Sequence, residues 1–261
     1  MSFSHILFET NDDGIALVTI NRPEKRNALN RALIEDLRGV VERVANDTTV
    51  RAMILTGAGG KAFVAGADIS EMDAAGPMES ERLSTLGQGI FRDLEKLRKP
   101  TVAAIHGYAL GGGLELAMCC HIRVAGPNAK FGQPEVKLGL TPGYGATQRL
   151  PRLIGRGRAL ELLMSGDTVD ASEAYRYGLV NYVTPHDEVI PFCRQWVRKV
   201  LANSPVAVGL TLQAVDAGAD QGIDVGLRFE SIAFGLSSSS DDRREGTRAF
   251  LEKRKAVFAG R

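Results

Sequence analysis

The chain has 261 residues, and 32 lysines and arginines against 31 aspartates and glutamates leave a formal net charge of +1. That balance excludes a whole-protein field that would draw nucleic acid or an anionic membrane surface, so an anionic ligand has to be met by local groups. The length is enough to bury a sizeable core in one large domain, or in one domain with a small appendage.

Cys119, Cys120 and Cys193 contain no C-x-x-C pair and share no metal-ligand spacing with the four histidines, which points to a reduced cytoplasmic compartment and to no bound metal. The first ten residues lack the basic start and apolar stretch of a secretory signal and are not Arg-rich like a transit peptide, so the same compartment is expected.

In chain order, Ile15–Ile20 has the β-rich character of a strand. Over residues 30–44 the apolar positions Leu33, Ile34, Leu37, Val40, Val41 and Val44 fall at three-to-four spacing, predicting a helix with Asn30 as its cap. Residues 50–55 read as a buried strand, which residues 56–60 break into a loop; Lys61 follows Gly60, but the glycine spacing and the Ser or Thr of a phosphate loop are missing. A charged helix is predicted over 78–97, with Pro100 marking its end before a strand at Thr101–Ile105. Residues 101–120 are long enough to cross a membrane, yet His106, Gly107, the run Gly111 to Gly113 and Glu115 favour a strand, a turn and a helix over 113–119. Another strand follows at Ile122–Ala125, and helix signals dominate from Ala146 onward apart from weak strand character at 179–183. Ser240 and its neighbours read as a turn and cap ahead of a helix that ends near Phe258. The alternation predicts stacked βαβ-type units of an α/β fold followed by a helical C-terminal part, with no internal sequence repeat.

The chemistry concentrates in Gly111-Gly112-Gly113-Leu114-Glu115 and, twenty residues beyond that glutamate, Glu135 in Phe131-Gly132-Gln133-Pro134-Glu135. A glycine turn at a helix start presents bare N–H groups to negative charge, and two carboxylates are the minimum equipment for moving a proton on and off a substrate. The small residues at Gly112 and Ala67 would equally serve tight packing. Glu115 is flanked by Leu114, Leu116, Ala117 and Met118, so its carboxylate needs either a task or a structural ion pair. Glu135 on its own reads as a surface glutamate aimed by the extended backbone around Pro134.

With Asn21-Arg22-Pro23 and Ala65-Gly66-Ala67-Asp68-Ile69, these stretches resemble the enoyl-CoA hydratase, or crotonase, family, and the likeness runs from about Phe8 to the C-terminus. The resemblance implies a crotonase-like spiral of ββα units over residues 1–195 and a C-terminal helical trimerisation region over 196–261, assembled as a homotrimer or a homohexamer made of two trimers. It implies addition of water to a 2-enoyl-CoA thioester to give 3-hydroxyacyl-CoA, in fatty-acid or related acyl-CoA catabolism, with no cofactor because coenzyme A enters as part of the substrate. On this resemblance the N–H groups of Ala67 and Gly112 form the oxyanion hole, while Glu115 and Glu135 share a water. Glu115 is then the candidate base and Glu135 the donor of the C2 proton, with Gly143 placing the water.

Coenzyme A would be held by Ala65, Asp68, Ile69 and Ser70, largely through backbone, and by residues near Lys25 and Arg26. Phe250 and Lys253 match family positions that reach a neighbouring subunit's ligand, although they also read as part of an amphipathic helix with a solvated basic face. The stretch 73–89 is expected to shape the acyl pocket. Tyr144 and Ala146 replace smaller residues common in the family, and His121 stands where aspartate is frequent. Two alternatives remain: an enoyl-CoA isomerase, which can manage with one carboxylate, and a non-catalytic or RNA-binding member of the fold.

Overall fold

A computed structural model describes residues 3–73 and 75–261; Met1, Ser2 and Ala74, the last within the expected acyl-pocket stretch, lie outside the described residues. The chain opens with an antiparallel hairpin of β1 (Ile6–Thr10) and β2 (Ile15–Ile20), then helix α1 (Arg31–Asn46), β3 (Ala52–Gly57), β4 (Ala62–Val64), α2 (Ile69–Asp73) and α3 (Pro77–Glu95). The next turn repeats the plan with β5 (Thr101–Ile105), β6 (Tyr108–Leu110) and α4 (Gly112–Met118). A third turn supplies β7 (Ile122–Ala125), β8 (Lys130–Gly132), α5 (Ala146–Ile154) and α6 (Arg156–Ser165). The chain continues through β9 (Thr168–Asp170), α7 (Ala171–Tyr177), β10 (Tyr182–Val183), α8 (Val189–Leu201), α9 (Pro205–Gly218), α10 (Ile223–Ser238) and α11 (Asp241–Leu251).

Each turn lays one strand in each of two sheets before crossing back. The larger sheet runs β1-β2-β3-β5-β7-β10 and the smaller β4-β6-β8-β9, with β3, β5 and β7 parallel in one and β4, β6 and β8 parallel in the other. The repeat is one of topology, which is why no sequence repeat announces it.

The interior strands are apolar on both faces because both faces are covered. Met53, Leu55, Ala103 and Ile105 point into the main core, whereas Ala52, Ile54, Val102 and Ala104 alternate with them and meet Val189, Cys193 and Val197 of α8. Residues 195 and 196 therefore lie inside a helix packed on the sheet, and the helices beyond that packing begin with α9.

Two of the sequence-based bounds that differ from the fold have a clear physical reason. The strand expected to end at Leu55 continues to Gly57, paired with β2 through Ile20. The C-terminal helix stops at Leu251, not near Phe258, because Lys253 turns into the left-handed region at φ 56° and the tail folds back. The N–H groups of Ala259 and Gly260 then donate to Asp242 Oδ1, a carboxylate buried to 1% exposure.

Candidate active site

Helix α4 is buried along its whole length, so the sheet and helices around it set where Glu115 can point. Its carboxylate is 1% exposed, and Oε1 accepts two hydrogen bonds of 2.8 Å, from the N–H groups of Tyr144 and Ala146. Both bonds fall on the same oxygen, and among the described residues no hydrogen-bond donor meets Oε2. Burial pushes the carboxyl up to about 7; the charge of Glu135 pushes in the same direction, while the two N–H bonds and Arg149 oppose it.

Glu135 stands in the 3-10 turn Pro134–Leu138 and is half-buried, which raises its carboxyl above the usual range. It lies directly over the start of α4: a Cβ added to Gly111 would come within 2.7 Å of Glu135 Oε1. Gly111 also has a positive φ of 51°, so both its conformation and its surroundings require glycine. Buried Gln133, oriented by its neighbours with the NH2 toward the carboxylate, donates to both Glu135 oxygens at 2.9 and 3.1 Å.

The two expected oxyanion donors are brought into one neighbourhood. Leu29 bridges the loop around Ala67: its N–H donates to the Gly66 carbonyl at 2.8 Å and its carbonyl accepts from Asp68 N–H at 2.7 Å. These bonds pin the flanking residues, and among the described residues no acceptor meets the N–H of Ala67 itself. Gly112 heads α4, where the first N–H groups have no partner within the helix. A Cβ there would lie 3.0 Å from Leu29 Cδ1 and 3.1 Å from Tyr144 Cδ2, so Leu29 and Tyr144 border both donors.

Around them the remaining expected residues divide. Ala65 N–H donates to the Arg26 carbonyl at 3.1 Å, which sets the exposed turn carrying Lys25 and Arg26 beside the 65–70 loop. That turn is held from inside by buried Asn27, whose Nδ2 donates to the carbonyls of Ala58 and Ala62. The side chain of Asp68 serves the loop: it accepts from Ser70 Oγ at 2.7 Å and pairs with Arg22 at 3.1 Å, contacts that hold it below the usual carboxylate range. Ile69 is exposed at the start of α2. The Gly143 carbonyl accepts from Ser84 Oγ and from Gln88 Nε2 at 2.8 Å, tying the turn to α3. Phe250 and Lys253 stand exposed at the end of α11, and among the described residues no hydrogen bond joins them to the site.

His121 sits on the Thr101 hydroxyl and N–H at 2.9 and 3.0 Å. Motif reading did not single out the N–H groups of Tyr144 and Ala146 that hold Glu115, nor Gln133 as a neighbour of the Glu135 carboxylate. Ala146 carried one signal, its place directly beyond the glycine-rich turn at the start of a helix. Among the described residues no group of three or more His, Cys, Asp or Glu is placed to hold a metal ion, and no helix is long and apolar enough to cross a membrane.

Buried Glu115 and half-buried Glu135 thus stand together at α4, and comparison with known proteins decides the family. Residues 10–261 match the enoyl-CoA hydratase/isomerase family. The chain belongs to that family. It is 46% identical over 258 residues, 99% of both chains, to a crotonyl-CoA hydratase of Syntrophomonas wolfei. It is 48% identical to a short-chain-enoyl-CoA hydratase of Clostridium acetobutylicum, over 98% of this chain and 97% of the other. The crystal structure of an enoyl-CoA hydratase from Bacillus anthracis superposes with a TM-score of 0.95 at 36% identity, covering 99% of this chain and 100% of that one. The spiral of ββα units is thus the crotonase fold, as the sequence resemblance implied.

Proposed function

We propose that the protein is an enoyl-CoA hydratase that adds water across the C2–C3 double bond of short-chain 2-enoyl-CoA thioesters, giving 3-hydroxyacyl-CoA. The observation that carries this reading is the Glu115 carboxylate, buried, held on one oxygen by two N–H groups, raised to about 7 and set beside Glu135.

The thioester carbonyl accepts from the N–H groups of Ala67 and Gly112, which are fixed before substrate arrives and strengthen their hold as negative charge moves onto that oxygen. Ionised Glu115 takes a proton from the water through its free Oε2 while the water oxygen bonds to C3. Protonated Glu135 delivers its proton to C2, so one H and one OH are added and the proton has passed from one carboxyl to the other. Exchange with solvent resets the pair. Two neighbouring carboxyls that are both raised suit the sharing of one proton. An isomerase needs one carboxylate to move the proton, and a binding member of the fold needs neither, so the raised pair favours hydration.

Acyl length is supported by Tyr144. Its ring packs on Phe91 with centroids 5.3 Å apart, and a Cβ at Gly87 would clash with Tyr144 Cε1, so the ring is wedged between α3 and the head of α4. With Leu29, Leu86 and Ala67 the ring lines a small, partly open pocket, so it stands as a wall beside Ala67. The names of the two curated relatives agree with a short acyl group.

The substrate's coenzyme A lies along the 65–70 loop and the Lys25–Arg26 turn, and no further cofactor takes part, since the reaction moves protons and no electrons. The apolar residues that α9 and α10 leave exposed, Ile223 at 74% and Phe234 at 73% among them, support assembly into trimers or paired trimers, with Phe250 and Lys253 turned toward a neighbour's ligand. Three buried free thiols suit a cytoplasmic location, with a place in acyl-CoA catabolism. Offering a series of 2-enoyl-CoA thioesters and following loss of the conjugated absorbance tests the reading; fast loss with the four-carbon substrate supports it, and none with any chain length contradicts it.

A further inference from the structure

The turn that grips Glu115 is itself gripped from its other side. Arg149, in the first turns of α5, donates from Nη1 to the Tyr144 carbonyl at 3.0 Å. The turn therefore gives its N–H groups to a carboxylate and a carbonyl to a guanidinium. Arg149 in turn sits on Glu95 at the end of α3, with Nη2 2.9 Å from Oε2 and Nε 3.2 Å from Oε1, the two-point contact that a planar guanidinium favours. Arg92 Nη1 donates to the same Glu95 at 2.9 Å and onward to Asp216 on α9.

This is a built arrangement with little slack. The Arg149 side chain is 15% exposed and that of Glu95 27%. Gly145 has φ 114°, a conformation that favours glycine, and a Cβ there would meet Arg149 Nη1, so the guanidinium fills the space beside it. The mechanism above does not use Arg149, which touches no reacting atom.

We propose that Arg149 is a positioning residue for hydration: seated on Glu95, it fixes the 143–146 turn so that the Tyr144 and Ala146 N–H groups hold Glu115, and Glu95, Arg92 and Asp216 carry that constraint to α9. The inference rests on the reading of Glu115 as the base for water. Without Arg149 the turn keeps its sequence but loses its support, and a small misplacement of a base can lower turnover a hundredfold. The charged and titratable groups around Glu115 are Glu135, Arg149, the Tyr144 phenol and the Cys119 thiol, and of these only Arg149 favours the ionised carboxylate.

The test compares Arg149→Gln, Arg149→Lys, Glu95→Gln and Glu115→Gln with the parent on crotonyl-CoA, reading kcat, KM and the acid limb of the pH profile, with circular dichroism and melting as controls of folding. Arg149→Gln is expected to lose about tenfold or more in kcat, to keep KM within about threefold, and to move the acid limb to higher pH. Arg149→Lys returns the limb toward the parent without restoring kcat, since a point charge cannot make the two-point contact. Glu95→Gln lowers kcat although no residue of the turn, nor Arg149 itself, is changed, because the seat of the guanidinium is weakened.

Parent-like kcat and acid limb in a folded Arg149→Gln variant, with Glu115→Gln inactive, would overturn the proposal alone. Full turnover in Glu115→Gln would instead remove the reading beneath it. If Arg149→Gln does not fold, parent-like profiles in both Arg149→Lys and Glu95→Gln overturn the proposal just as directly.

Discussion

The ring of Tyr144 lies against Gly112, so close that a methyl group on the glycine would approach Tyr144 Cδ2 to 3.1 Å. One residue thus gives its backbone N–H to Glu115 and its side chain to the wall beside the proposed oxyanion donor. The two roles separate in a Tyr144→Ala variant, which keeps the N–H and removes the wall. Its ratio of kcat/KM for a ten-carbon over a four-carbon enoyl thioester is expected to rise about tenfold or more, at a stability cost on the order of 2 kcal/mol. An unchanged ratio in the folded variant would show that the acyl chain leaves by another path.

The raised carboxyl of Glu115 has consequences of opposite sign for activity and stability. As a base it must be ionised, so kcat/KM is expected to fall about tenfold per pH unit below about 7. The folded chain binds that proton more tightly than the unfolded chain does, so stability is full below the ordinary value of 4.5 and is lost as pH rises to about 7. The loss is on the order of 3 kcal/mol. Glu115→Gln should therefore melt above the parent at pH 8 and close to it at pH 4, and a variant that melts below the parent at pH 8 would contradict the burial argument.

Assembly is open to a direct check. Sedimentation of the parent is expected to give a trimer or twice a trimer, and Phe234→Glu, which puts a charge on the face that α9 and α10 leave exposed, should shift it toward monomer. A stable and active monomer of the parent would set aside both the interface and the reach of Lys253 to a neighbouring site.

The sequence was most informative where one element satisfies itself. Helix α1 has its apolar stripe and its own cap, Asn30 Oδ1 accepting from Leu33 N–H at 2.9 Å, and β5 and β7 are short runs, apolar apart from Thr101 and Arg123, inside a covered sheet. The three-residue strands β4, β6 and β8 have no such pattern, because they exist only by pairing with one another across turns of the spiral. The same limit governs the site. Glu115 stood out as a carboxylate in an apolar helix, but its partners are the backbone of residues 29 and 31 positions away, and Arg149 meets Glu95 across 54. The tail from Glu252 shows local pattern losing to distant bonds: Val257 and Phe258 prolong a helical period, yet Asp242 draws the chain back on itself.

In the proposed mechanism Glu115 and Glu135 act on one water as a unit. The measurement is hydration of crotonyl-CoA by Glu115→Gln, Glu135→Gln and the double variant, each checked for thioester binding and for folding. Glutamine keeps the size and the hydrogen bonding but can neither take a proton from water nor return one to carbon. Each single variant is expected to lose about a thousandfold or more in kcat with binding nearly unchanged, and the double variant to be scarcely worse than either. A folded single variant that keeps most of the parent's turnover would contradict the two-carboxylate mechanism.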